Sequence, residues 1–170
     1  TTYRRFTTDD LFTYNNVNLD PLTATYNNNF YLSYMVKWPD YLAVALAPNG
    51  NQTGYIIGKA EGQGKQWHGH VTAVTVAPQY RRIGYATKFM KVLENVSEES
   101  YNGYFVDLYV RKSNEVGIQM YKKFGYKIYR KVIGYYSGEE DAYDMRKSLR
   151  RDPEKSSEEP YPGGEVYPYQ

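Results

Sequence analysis

A single mixed α/β domain is predicted, and three observations predict it. Strand-like and helix-like segments alternate along most of the 170 residues, the pattern of a sheet covered by helices. The length suits about one domain and allows about two thirds of the unfolded surface to be buried. Composition is ordinary for a water-exposed fold, 41% hydrophobic and 24% charged, with no unbroken apolar run approaching the roughly 18 residues of a membrane span.

Tyr3 to Phe6 reads as a short strand, and Thr8 as the cap of a helix with Asp9 and Asp10 in its first turn. Pro21 interrupts the next stretch, and Phe30 to Trp38 reads as a helix apolar nearly all round, ended by Pro39. Tyr41 to Ala47, a turn Pro48-Asn49-Gly50-Asn51 and Thr53 to Ala60 give a hairpin signature. In the strand Trp67 to Val76, His68, His70, Thr72, Val74 and Val76 share one face, and Pro78 stops it.

Ile83, Ala86, Phe89, Met90, Leu93 and Val96 recur at helical spacing, so a helix is expected from near Ile83 toward Ser97. A strand at Tyr104 to Val110 precedes a second amphipathic helix, capped by Asn114 and closed by Gly125. Tyr126 to Tyr136 and Ala142 to Ser148 read as strands joined by a polar turn. The domain is expected to span 1–150. Residues 151–170 hold four of the eight prolines and a net charge of −3 (two basic, five acidic side chains), leaving +5 on 1–150. That tail is expected to be disordered or draped on the surface.

Zero cysteines exclude a disulfide scaffold, a thiol nucleophile and cysteine-ligated metals, and two histidines alone make a metal site improbable. The N-terminal residues lack a secretory signal, so a cytoplasmic location is expected. A net charge of +2, with aromatics not interleaved along a basic stripe, argues against direct nucleic-acid binding. The 21 tyrosines suit half-wet recognition surfaces.

From Val74 to Ala86 a strand stops at proline and passes through a basic turn, Arg81-Arg82-Ile83-Gly84, into a helix. Outward-pointing amides, a glycine that lets a ligand approach the backbone and a helix N-terminus together suit a pyrophosphate. The bland alternative is an ordinary strand to helix connection.

These residues resemble the acetyl-CoA loop of the GCN5-related N-acetyltransferases, Arg/Gln-x-x-Gly-x-Gly/Ala, at Arg81, Gly84 and Ala86. A second block, Asn114 to Tyr126, is similar to the family's Asn-x-x-Ala-x-x-x-Tyr-x-x-x-Gly-Phe, with Gly117 for alanine and Tyr126 for phenylalanine. Asn18 to Leu22, Trp67 to Val74, Phe105 to Leu108 and Val132 to Tyr136 extend the resemblance to the branch of N-terminal acetyltransferases of the B type.

The resemblance implies a mixed central sheet flanked by helices and splayed where acetyl-CoA enters. It implies transfer of acetyl to the α-amine of proteins beginning Met-Asp, Met-Glu, Met-Asn or Met-Gln. Cofactor contacts are expected at Val74, Val76, Arg81, Arg82, Ile83, Gly84, Tyr85, Ala86, Asn114 and Tyr121, with Tyr121 as leaving-group donor. His70, Thr72, Ala73, Tyr26, Tyr135 and Tyr136 are expected around the peptide, and His70 stands between a reading role and a catalytic one. Family members carry glutamate where this chain has Ala24. No metal is expected. The implied partners are a large helical-repeat auxiliary subunit, the ribosome through that subunit, and nascent-chain N-termini, with no membrane contact. Phe30 to Trp38, with Leu11, Phe12, Val17, Leu19 and Leu22, is the expected docking face. Competing readings are an acetyltransferase for lysine or small amines, and a non-catalytic acyl-CoA-binding subunit.

Overall fold

Alternating β-branched and aromatic residues put most of this chain's extended segments into a mixed sheet, and the computed structural model describes residues 1–13 and 26–168. The chain forms two compact units, Thr1–Ala60 with Val71–Val96, and Glu61–His70 with the chain from Ser97 onward. No division falls at residue 150.

In the first unit the strand order is β1 (Thr2–Arg5), β2 (Leu42–Leu46), β3 (Gln52–Glu61) and β4 (His68–Val76), the last entering this unit at Val71. β2 is antiparallel to both β1 and β3, and Val44, Tyr55 and Ile57 are buried in the core. Asn51 and Ala47 close the hairpin, the Ala47 amide donating to the Asn51 carbonyl at 2.9 Å. The first short helix is a 3-10 turn, Thr8–Phe12, capped by Thr7, one residue earlier than expected. The reason is Asp10, whose carboxylate accepts from the Thr7 amide at 2.7 Å and from Arg4 through two 2.8 Å bonds.

Helix α1 (Asn28–Lys37) is capped by Asn27, whose Oδ1 accepts from the Phe30 amide at 2.9 Å. Its cover is one-sided: Tyr31 and Tyr34 are buried while Leu32 and Val36 are exposed. Helix α2 (Tyr85–Glu99) buries Phe89, Met90 and Leu93 along one stripe. It begins two residues later than Ile83, which is 64% exposed in the preceding loop, because left-handed backbone at Arg82 (φ 63°) and Gly84 (φ 90°) interrupts helical dihedrals there.

In the second unit the order is β5 (Phe105–Arg111), β7 (Glu140–Ser148), β6 (Lys127–Tyr136) and β8 (Glu165–Val166). β7 is antiparallel to both neighbours and β8 parallel to β6. Helix α3 (Glu115–Lys123) is capped by Asn114, and Gly125 (φ 96°) follows its C-cap as expected. β7 starts two residues before Ala142 because Glu140 pairs with Tyr136.

Residues 151–168 are folded onto this unit, not disordered. Asp152 accepts from the amides and hydroxyls of Ser156 and Ser157 at 2.6 to 3.1 Å. Buried Glu158 accepts from the Ser148 amide and hydroxyl and pairs with Lys127 at 2.7 Å. Composition left disorder and draping both open because the tail is held by satisfied polar groups, with few apolar side chains to signal it. Among the described residues no helix is long and apolar enough to cross a membrane.

Candidate active site

The first unit supplies a loop and an aromatic stripe. Pro78 ends β4, a 3-10 turn over Pro78–Tyr80 follows, and Arg81 folds back to donate from Nε to the Val76 carbonyl at 3.0 Å. The guanidinium is thereby anchored beside Arg82. A Cβ built on Gly84 meets nothing within 4 Å, so the space over this loop is open to a ligand. The first amides of α2, from Tyr85 and Ala86 onward, have no acceptor within the helix, and their dipoles favour an anion. Open space, two arginines and a helix N-terminus fit a pyrophosphate.

On β4, Thr72, Ala73, Val74 and Val76 are half-buried. Thr72 Oγ1 lies 3.0 Å from the Tyr34 phenol. Tyr34 belongs to a stripe in which Tyr26 stacks on Phe30 at 4.1 Å, Phe30 meets Tyr34 at 4.6 Å, and Tyr34 meets Trp38 at 5.0 Å. The four recur every fourth residue, Phe30 and Tyr34 on one face of α1 and Tyr26 and Trp38 flanking its two ends. Tyr34 was missed by sequence reasoning, although this spacing was the signal. Ala24 and the segment Asn18 to Leu22 lie outside the described residues.

The second unit supplies His70, Tyr121, Tyr135 and Tyr136. His70 Nδ1 is 2.7 Å from Asp107 Oδ1, and its ring meets Tyr109 edge-on at 5.5 Å. Tyr109 meets Tyr135 at 4.8 Å, and Tyr135 meets Tyr136 at 5.0 Å. A register shift in β6 falls between Val132 and Tyr136, next to these two tyrosines. The Arg111 guanidinium covers the Tyr136 ring at 4.0 Å.

Tyr121 is buried on α3, and burial, with the Tyr136 phenol beside it, raises its pKa above the usual tyrosine value. It therefore keeps its proton throughout the neutral range, as a donor must. Tyr109, also raised first by burial and then by Asp107 and Asp144, does the same. Thus Tyr109, which sequence reasoning did not single out, joins His70 to Tyr135, and Tyr136 in turn lies between Tyr135 and Tyr121. Asn114 has another employment: its Oδ1 accepts from the Gly117 amide at 3.0 Å as the cap of α3.

Behind His70, His68 Nδ1 donates to the Gln66 carbonyl at 2.5 Å. Its Nε2 faces Asp107 Oδ1 at 3.4 Å and Glu61 Oε1 at 3.6 Å, ion-pair separations without a well-formed hydrogen bond. Burial alone would lower the His68 pKa, but Asp107 and Glu61 overcome it and hold it up at about 10. Burial would likewise raise Asp107, yet the two imidazoles keep its carboxyl well below the usual range. Glu61, His68 and His70 offer possible ligand atoms within 4.8 Å of one another, so the histidine count alone understated the donors. A metal would have to displace the His68 proton, since an imidazolium has no lone pair to give.

Residues 9–126 match the acetyltransferase (GNAT) family. The N-alpha-acetyltransferase 20 of Dictyostelium discoideum is 64% identical over 157 residues, covering 92% of this chain and 91% of the relative. The N-terminal acetyltransferase B complex catalytic subunit NAA20 of Arabidopsis thaliana is 57% identical, covering 92% and 90%. In structure, Chaetomium thermophilum Naa20 in complex with a bisubstrate analogue matches with a TM-score of 0.91 at 40% identity, covering 99% of this chain and 97% of that one. The NatB acetyltransferase complex bound to a bisubstrate inhibitor contains a chain matching with a TM-score of 0.85 at 41% identity, with the same coverage.

Proposed function

The chain belongs to the acetyltransferase (GNAT) family, and on that footing we propose that it acetylates the α-amine of proteins beginning Met-Asp, Met-Glu, Met-Asn or Met-Gln, as the catalytic subunit of a NatB-type complex. Similarity to NatB catalytic subunits over nine tenths of the chain carries the choice of substrate class.

Acetyl-CoA supplies the acetyl thioester. Arg81, Arg82 and the amides from Ile83 to Ala86 would hold its pyrophosphate, with β4 at Val74 and Val76 beside the pantetheine arm and Asn114 and Tyr121 contributing from α3. A carbon–nitrogen bond forms as the carbon–sulfur bond breaks. The α-amine has an ordinary pKa of about 7.7 to 8.0, so a useful fraction is already neutral near pH 7 and water can carry its proton away. The departing thiolate takes a proton from the Tyr121 phenol, and the phenolate, disfavoured by its burial, at once recovers a proton from the water that carried the one released by the amine.

Tyr26, Tyr135 and Tyr136 suit the methionine side chain and the peptide backbone, and Thr72, fixed by Tyr34, and Ala73 lie on β4. His70 addresses the second residue. Val36 (82% exposed) and Leu32 of α1, and the exposed Phe12 (79%), would contribute to the surface on which a helical-repeat auxiliary subunit docks and brings the enzyme to ribosomes in the cytoplasm, while Val17, Leu19 and Leu22 lie outside the described residues.

The test compares kcat/KM on Met-Asp, Met-Glu, Met-Asn, Met-Gln and Met-Leu peptides with that on an N-terminally blocked lysine peptide. Preference for the first four is expected. Equal turnover of the blocked peptide would replace this reading with a lysine acetyltransferase, and coenzyme binding without turnover would leave a binding subunit.

A further inference from the structure

Asp107 is a buried carboxylate placed between two imidazoles, with a side chain 4% exposed. A carboxylate this acidic only accepts, so the 2.7 Å bond places a proton on His70 Nδ1 and leaves Nε2 as the ring nitrogen that Asp107 does not occupy. His68 stabilises this choice. Both of its nitrogens face acceptors only, Gln66 carbonyl on one side and the carboxylates of Asp107 and Glu61 on the other, so it is held as the cation that balances Asp107.

Among the described residues, the titratable groups that face His70 are Asp107 and Tyr109 from β5, His68 on its own strand and Glu61 within the 4.8 Å cluster, with Asp144 of β7 acting on Asp107 and Tyr109. Tyr109 stays a neutral phenol. In the tautomer that this bond selects, the lone pair of the imidazole lies on Nε2. An amide side chain can donate its N–H to that lone pair directly. A carboxylate cannot, and must bring a proton to Nε2 so that the ring donates to it.

We infer that Asp107, braced by His68, is the positioning residue for substrate selection: it fixes His70 with its lone pair on Nε2, so that peptides with an acidic second residue bind with uptake of a proton and their amide counterparts bind without it. The inference rests on the proposed contact between His70 and the second substrate residue.

The experiment has two arms. Nitrogen-15 NMR of imidazole-labelled wild-type protein at pH about 9, above the ordinary histidine range, should show His70 with its proton on Nδ1 and His68 doubly protonated. A proton on Nε2 of neutral His70 would overturn the positioning role whatever the enzyme's substrate. Calorimetry of matched Met-Asp and Met-Asn peptides at pH about 8, in buffers of different ionisation enthalpy, should show close to one more proton taken up with Met-Asp. The shared α-amine cancels in that difference. Equal proton uptake would overturn the linkage.

Asp107→Asn should lose the uptake difference, mix the His70 tautomers, and raise KM for Met-Asp by about tenfold with a smaller change for Met-Asn and in kcat. If that variant does not fold, both wild-type measurements still decide. The expected tautomer combined with unaltered peptide binding in His70→Ala would instead overturn the assignment of His70 to substrate reading, leaving the Asp107 geometry intact.

Discussion

Asn114 Oδ1 accepts the Gly117 amide at 3.0 Å, and a Cβ on Gly117 would lie only 2.7 to 3.0 Å from the Asn114 side chain. The glycine that stands in place of the family's alanine thus fits the cap it supports. Gly117→Ala gains up to about 1 kcal/mol of helix propensity and displaces a cap worth about 1 kcal/mol, so its stability should be nearly unchanged. In an Asn114→Ala background the same substitution should stabilise by about 1 kcal/mol, because only the propensity term remains. A denaturant cycle over the four proteins measures the coupling, and additive effects would contradict it.

Gly84 should tolerate a side chain for want of neighbours but not for want of backbone freedom. Its φ is 90°, and a Cβ there meets no protein atom within 4 Å. Gly84→Val is expected to cost about 1 to 2 kcal/mol of stability through the left-handed backbone. It should raise KM for acetyl-CoA by about tenfold or more through lost approach to the amides, about the 1.4 kcal/mol of one impaired contact. Peptide KM should change little. Calorimetry with unaltered coenzyme affinity in the folded variant would contradict the placement.

Tyr121→Phe removes the buried phenol beside Tyr136 without changing the ring's packing. Turnover should fall by about a hundredfold, within the range for a positioned proton donor. The fall should be the same on Met-Asp and Met-Asn peptides, with KM near the wild-type value. A loss confined to one peptide would make Tyr121 a binding residue.

Much of this was legible in the chain. Alternation gave β4 and the spacing of Phe89, Met90 and Leu93 gave α2, because burial on one face writes a period, while β3 and β5, buried on both faces, were read from a turn signature and from β-branched and aromatic content. Where dihedrals rather than burial set a boundary, as at Arg82 and Gly84, apolar Ile83 misled. The motif blocks are what single out the loop from Arg81 to Ala86 and Tyr121 as candidates. Asp107 and Tyr109 were not legible, because a polar residue inside a strand shows its partner only once β4 and β5 are folded. The tail's order was left open for a related reason: its anchors, Asp152 and Glu158, look like solvated charges.

Val36 is 82% exposed on α1, beyond the buried Tyr31 and Tyr34. Val36→Asp should leave the isolated chain's melting temperature within about 3 °C, as surface changes of about 0.5 kcal/mol do in domains this size. On the docking reading it should weaken association with an auxiliary subunit by tenfold or more, since a charge would be buried without a partner. Pull-down titration of the two purified chains reads the loss. Unchanged affinity would move the docking face elsewhere.

His68 makes stability depend on pH with a definite sign. Its folded pKa of about 10 lies above the ordinary value of 6.5, so the folded state binds a proton more tightly than the unfolded chain. The contribution is complete below about pH 6.5 and is lost as pH rises toward 10, through deprotonation of the cation between Asp107 and Glu61. Acidic titration of surface carboxylates acts below pH 5 and does not overlap this window. Melting temperature should therefore decline steadily from pH 7 to 10. In His68→Gln the glutamine carries no proton to lose, so the variant should be less stable at pH 7, by about 1 to 3 kcal/mol for leaving buried Asp107 with one partner fewer. Its stability should also be flatter across the same range, so that the two curves converge near pH 10. Parallel curves would show that His68 is not the cation that balances Asp107.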